Sequence, residues 1–329
     1  MQPVNLAQFA TAPRSPTGSS SSHGWTLLEL VIVVAIVGVG LTLLLPAIGR
    51  ARSAARRVQC QSHLRNLGLA TGQYVGVRQR FPPAASQRWG QSARGQAVPP
   101  RHSVITHLLP FFEHAPLYQQ LDLRRDWNDP VNAPRTRQHL GGILVCPAAP
   151  DNRRRYHVSD YNPAIRVDPS ERTGLGELLR RGRVRNRSPQ GAPHWGSGQP
   201  VWDNVLQLDQ VDYPHRLCDR RVVRPRDVRD GFSHTILLVE NAGKPICYQQ
   251  GRRADCTITR FRWASPNLWM TINDVCGQGQ LINCSNNSQP YSFHAGGVNV
   301  VYADGSVHFL DQQIDPDVFV SRITLAAGD

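Results

Sequence analysis

In the stretch FHAGGVNVVYADGSVHFL of this 329-residue chain, nine residues separate His294 from the pair Asp304-Gly305. With His308 and Glu240, these residues supply the donor types that bind a transition metal or activate water. A plain turn accounts for part of the pattern. Val298 to Tyr302 and Val307 to Leu310 are β-rich, and Ala303-Asp304-Gly305-Ser306 carries the Asp-Gly signal of a tight hairpin turn requiring positive φ. Asp304 and Gly305 are thereby explained without chemistry, and His294 is not. No catalytic residue, metal or cofactor is expected, and the chain is read as non-enzymatic.

Thiols are the second reactive group. Seven cysteines stand at Cys60, Cys146, Cys218, Cys247, Cys256, Cys276 and Cys284, with no C-x-x-C pair and no histidine at zinc-finger spacing. A structural zinc site is therefore not expected. If the globular part is exported, the sequence neighbours Cys247 and Cys256, and likewise Cys276 and Cys284, become candidate disulfides.

The third group is a single acid. In GWTLLELVIVVAIVGVGLTLLLPAIGRAR, Glu29 opens an otherwise uncharged apolar run. An ionisable group at the centre of a membrane span costs about 2.5 to 3.5 kcal/mol and calls for a named partner. Near the end of a span the cost is lower, and a carboxylate there can simply reach the interface.

The elements that must position these groups follow from hydrophobic pattern. Leu30 to Ile48 is nineteen residues without a charge, close to the roughly 20 needed to cross hydrocarbon as a helix. A secretory signal would have a shorter core and a small-residue cleavage site; Pro46-Ala47-Ile48-Gly49 is a poor one, so a membrane anchor is expected. Beyond Pro46, where a kink is expected, Cys60, Leu64, Leu67, Thr71 and Tyr74 recur at spacings of four and three and share one helix face. Phe81-Pro82-Pro83 stops that helix. Leu108, Leu109, Phe111, Phe112, Leu117 and Tyr118 read as core packing, and Thr235 to Val239 as a strand buried on both faces, ended by Glu240.

Composition adds little. The net charge is +13, and Lys244 is the only lysine, so the basicity is carried by arginine. That bias is discounted as a binding signal, and no nucleic-acid partner is expected. The Arg-, Gly-, Pro- and Ser-rich region from Glu171 to Pro200 reads as an exposed insertion, and the stretch from about 84 to 101 as another loop.

Gly24-Trp25-Thr26-Leu27-Leu28-Glu29 followed by the apolar run resembles the class III signal of type IV pilins and type II secretion pseudopilins. Further along, AARRVQCQSHLRNLGLA, FPP, HLLPFFEHAPLYQQ, LVCPAAP, SDY, RDVRDGFSHTILLVE and the H-x9-DG stretch follow in order. Together they resemble a bacterial family that joins a prepilin-type cleavage/methylation segment to a domain of unknown function ending in that motif.

The resemblance implies cleavage by the prepilin peptidase between Gly24 and Trp25, methylation of the new amino terminus, and Glu29 as the fifth mature residue. It supplies a partner for Glu29, the ammonium of a neighbouring pilin or pseudopilin subunit. It also implies an α+β, pilin-like fold: a leader over 1–24, a transmembrane helix over 25–49, an amphipathic continuation over 50–77, and a β-rich, mainly antiparallel domain over 78–329. Cysteines occur at the positions of Cys60 and Cys146 in the resembled family, so a disulfide fastening helix to domain is implied. The expected role is a structural subunit in a type II secretion or type IV pilus-like system, single-pass in the inner membrane with its C-terminal domain in the periplasm or outside. Counting Arg50, Arg52, Arg56 and Arg57 against Arg14 would put that domain in the cytoplasm; the expectation follows the resemblance. The alternative is a membrane-anchored periplasmic binding module for glycan, metal or nucleic acid.

Overall fold

A computed structural model describes residues 26–89, 100–150, 153, 156–168, 174–187, 194–195, 199–200, 202–212, 217–220, 222–287 and 289–324. The chain divides into two units, 1–51 and 52–329. Helix α1, Leu27–Arg78, is a single element that contributes to both, with Pro46 inside it.

The described part of the first unit is the apolar stretch of α1. Its most hydrophobic 18-residue window has a mean hydropathy of 2.8 and none of it is buried. By length and composition it is the one candidate membrane span among the described residues. The helix begins with a reciprocal cap. The Thr26 N–H and hydroxyl both donate to Glu29 Oε2, at 2.9 and 3.0 Å, and the Glu29 N–H donates to Thr26 Oγ1 at 3.3 Å. This T-x-x-E capping box satisfies backbone donors that a helix start otherwise leaves unpaired.

In the second unit the remainder of α1 lies against a mixed sheet. The five residues expected to share a face, Cys60, Leu64, Leu67, Thr71 and Tyr74, are all buried. The main sheet consists of β1 (Tyr161–Val167), β2 (Trp202–Asp203), β3 (Ile236–Glu240), β4 (Met270–Ile272), β5 (Gly297–Tyr302) and β6 (Val307–Asp311), in the order β4-β1-β3-β5-β6 with β2 also beside β1. All its pairings are antiparallel except β1 with β4. The fold is therefore α+β, with a long N-terminal helix and a mainly antiparallel sheet. A second sheet joins Ala85–Trp89 in parallel to Leu208–Asp212, which pairs with Leu217–Arg220. The stretch read as a loop from residue 84 thus begins as a strand.

Side-chain alternation along a strand separates two cores. On β5, Val298, Val300 and Tyr302 join a cluster with Phe319, Val320 and Ile323 from the C-terminal helix region. Val301 points the other way, into the cluster that contains Leu64, Leu67 and Tyr74 of α1. Asn299, two residues from Val301, shares its face, as Glu240 shares that of Leu238 on β3. A sheet covered on both sides explains why every residue of Ile236–Glu240 is buried.

The Asp-Gly turn is a hairpin between β5 and β6, with Val298 opposite Leu310 and Val301 opposite Val307. Gly305 has φ +83°, the left-handed conformation that favours glycine. The Ser306 N–H donates to Asp304 Oδ1 at 2.8 Å, so the carboxylate fixes its own turn. Two disulfides, Cys247–Cys256 and Cys276–Cys284, tie loops that join neighbouring parts of the chain.

Candidate functional site

His294 ends its loop in a different place from Asp304. It precedes β5, and Asp304 follows it, so the six-residue strand holds them apart by about 20 Å at roughly 3.3 Å per residue. His308 is also elsewhere, on β6, its ring edge-on to Tyr302 with centroids 5.1 Å apart. The hairpin therefore does not gather His294, Asp304 and His308 into one site.

His294 instead meets Glu240, Cys60 and Cys146. One potential ligand atom from each of the four lies within 4.8 Å of every other, and all four residues are buried. Four separate stretches deliver them. Cys60 projects from the inward stripe of α1, and Glu240 is the last residue of β3. Cys146 follows the short turn Gly142–Leu144. His294 stands in the bend before Gly296, whose φ of +86° turns the chain into β5.

The distances are short and specific. His294 Nε2 lies 3.5 Å from Cys146 Sγ and 3.3 Å from Glu240 Oε1. Glu240 Oε2 is engaged by Asn299, whose N–H and Nδ2 donate to it at 3.2 and 2.9 Å. Oε1 has no hydrogen bond: it faces Nε2 within ion-pair range but outside hydrogen-bond geometry. Cys60 and Cys146 are free thiols, so the implied bridge between them is not formed in this structure.

The surroundings hold these groups in place. The Cys146 N–H donates to Asp160 Oδ2 at 2.8 Å. Asp160 in turn receives both arms of the Arg153 guanidinium, at 2.6 and 2.8 Å, in a pair almost wholly shut from solvent. The His294 N–H donates to Ser292 Oγ at 3.1 Å. On the helix side, Tyr161 Oη lies 3.2 Å from His63 Nδ1 and next to Cys60.

Burial sets the electrostatics. It pushes the Cys146 thiol well above its ordinary range, and the neighbouring Cys60 thiol and Glu240 charge add to this. Burial alone would lower His294, but Cys146 and Glu240 favour its cation and carry it up to about 9. Tyr161 is raised by burial and by the nearby Cys60 and Glu240.

The model of a family described as "Protein of unknown function (DUF1559)" matches residues 49–317. The chain belongs to this family. DUF1559 is associated with pilin-like proteins, and the matched span contains all four clustered residues together with Asp304 and Gly305. No curated protein and no solved structure matches the chain.

Gly24 and Trp25, the expected processing residues, lie outside the described residues. Glu29 is described, and it caps the helix start together with Thr26. The T-x-x-E spacing was the available signal. Cys60, Cys146, Glu240 and His294 each attracted attention singly. Nothing in their spacing announces that they meet.

Proposed function

We propose that the chain is a non-enzymatic, pilin-like structural subunit of a type II secretion or type IV pilus-like system. In this reading the prepilin peptidase cuts between Gly24 and Trp25, the apolar helix stays in the inner membrane, and the module beginning near Arg52 lies in the periplasm or outside. Other pilin or pseudopilin subunits are its partners. One observation carries the proposal: none of the described residues in the apolar part of α1 is buried, and its only acid stands at the very start. An exposed helix of that hydropathy needs lipid or other helices around it. An acid at its entrance gives an assembly of such helices a charge by which to fix register.

The capping box sharpens the test. Glutamine can occupy the last position of a capping box as well as glutamate, so Glu29→Gln keeps the helix start and removes only the charge. In the native membrane, the wild-type chain should begin at methylated Trp25 by mass spectrometry and form cross-linked oligomers. Glu29→Gln should be cut normally yet lose those oligomers at least tenfold. An intact Met1 on the wild-type chain rejects the processing step, and undiminished cross-linking of Glu29→Gln rejects the charge contact. The alternative of a binding module for glycan, metal or nucleic acid gains specific support only for metal, from the buried cluster.

A further inference from the structure

The donor set of the buried cluster is that of a transition-metal site. Two thiols, an imidazole and a carboxylate suit zinc, which structural sites hold with four protein ligands in a tetrahedron. The spacing can be tested against that geometry. With zinc–sulfur bonds of about 2.3 Å and zinc–nitrogen or zinc–oxygen bonds of about 2.0 to 2.1 Å, tetrahedral angles put sulfur about 3.5 Å from nitrogen, and nitrogen about 3.3 Å from oxygen. His294 Nε2 stands 3.5 Å from Cys146 Sγ and 3.3 Å from Glu240 Oε1. We propose that Cys60, Cys146, Glu240 and His294 bind one zinc(II) ion in a closed tetrahedral site that fastens helix α1 to the sheet.

Three further observations support this assignment. Glu240 Oε1 is buried with a 3.3 Å ion-pair contact to His294 Nε2 that lacks hydrogen-bond geometry, while its partner oxygen is doubly held by Asn299. A metal ion bound by both atoms would satisfy each directly. Second, the backbone and side-chain contacts around the ligands resemble an outer shell: Asn299 orients Glu240, and Asp160, itself anchored by Arg153, holds the backbone of Cys146. Third, the same protein forms Cys247–Cys256 and Cys276–Cys284 but keeps Cys60 and Cys146 as neighbouring free thiols. Coordination as thiolates would protect them where the other cysteines oxidise.

Proton and charge balance are simple. Zinc entry displaces the proton of each thiol, and the imidazole and the Glu240 carboxylate coordinate as a neutral and an anionic ligand. The product carries a net charge of −1, from two positive charges on the metal against three negative charges on the two thiolates and the carboxylate. Four protein ligands leave no open position, so the ion is structural rather than catalytic. It joins helix α1, the loop at Cys146, the end of β3 and the bend before β5.

The test uses the full chain purified in detergent without reductant and incubated with zinc chloride. One zinc per chain is expected by elemental analysis and native mass spectrometry. Removing it with a chelator should lower the melting temperature, and zinc should restore it. Cobalt(II) in its place should give the visible bands of a tetrahedral site and thiolate charge-transfer absorption. Cys60→Ser combined with His294→Ala should cut the zinc content at least tenfold, whereas wild type must keep it. Should that double variant fail to fold, wild type alone decides through the cobalt spectrum and peptide mapping. A Cys60–Cys146 disulfide with no bound zinc overturns the proposal, as does a cobalt spectrum lacking thiolate absorption.

Discussion

Substituting alanine at two glycines of the same helix should move stability in opposite directions. Gly68 and Gly72 both lie in α1, one turn apart. A Cβ at Gly72 would meet nothing within 4 Å. Gly72→Ala should therefore show the bare helix preference for alanine, stabilising by about 1 kcal/mol. A Cβ at Gly68 would stand 2.7 Å from Val301 Cγ2 and 3.3 Å from Gly305 Cα. Carbon atoms prefer about 3.5 to 4.0 Å, so helix and hairpin must part by about 1 Å. Val301 cannot swing away, because it is β-branched and wholly buried, and Gly305 contributes backbone. Overpacking of this kind costs about 1 to 3 kcal/mol. Both variants gain the same helix term, so the difference between them isolates the cost of forcing α1 off the Asp-Gly turn. Denaturant unfolding of the full chain in detergent, followed through the fluorescence of fully buried Trp263, measures it. Equal stabilisation by the two substitutions would refute the close approach of Gly68 to the hairpin.

Two other predictions rest on buried charge. Asp160→Asn leaves the Arg153 guanidinium, 1% exposed, without its counter-charge; breaking such a pair costs about 3 to 5 kcal/mol. The denaturation midpoint should fall accordingly, and a loss below about 1 kcal/mol would show that the pair does not hold the fold. His107 Nε2 is buried without a partner, and burial, with His102, Arg80 and Arg78 adding and Asp209 opposing, lowers its pKa to about 4. The folded pKa lies below the ordinary 6.5, so the unfolded chain takes up the proton first. Stability is then full above about pH 6.5 and declines as pH falls toward 4, by about 3 kcal/mol at roughly 1.36 kcal/mol per unit. His102, also lowered by burial, steepens the same slope. His107→Leu should flatten it, and an unchanged pH profile in that variant would remove His107 from the account.

The parts of this fold that were legible in the sequence are those whose signal is local and periodic. The stripe Cys60, Leu64, Leu67, Thr71, Tyr74 announces a helix face because 3.6-residue periodicity needs only a short window. The hairpin announces itself through β-rich runs around Asp304-Gly305, and the long apolar helix through the length of its uncharged run. The strand Ala85–Trp89 was not legible. Its partner Leu208–Asp212 is far away in sequence, and Pro and Ser around it carry a loop signature. The cluster was hidden for the same reason: His294 was weighed against Asp304, its neighbour in the motif, when the sheet delivers it to Glu240 and the helix brings Cys60. At Glu29 the local signal is the T-x-x-E spacing, which places Thr26 within reach of the carboxylate at the helix start.

The motif acquires a physical meaning once both ends are followed to what they touch. The nine residues between His294 and Asp304 are a two-residue bend, the six residues of β5, and Ala303. At one end His294 belongs to the cluster that includes Cys60 of α1. At the other, Gly305 comes against Gly68 of the same helix. Cys60 and Gly68 are eight residues apart, about 12 Å along the axis at 1.5 Å per residue, on one face of the helix. The hairpin therefore grips α1 at two points. A single contact would leave the helix free to pivot on the sheet, whereas two fix its direction.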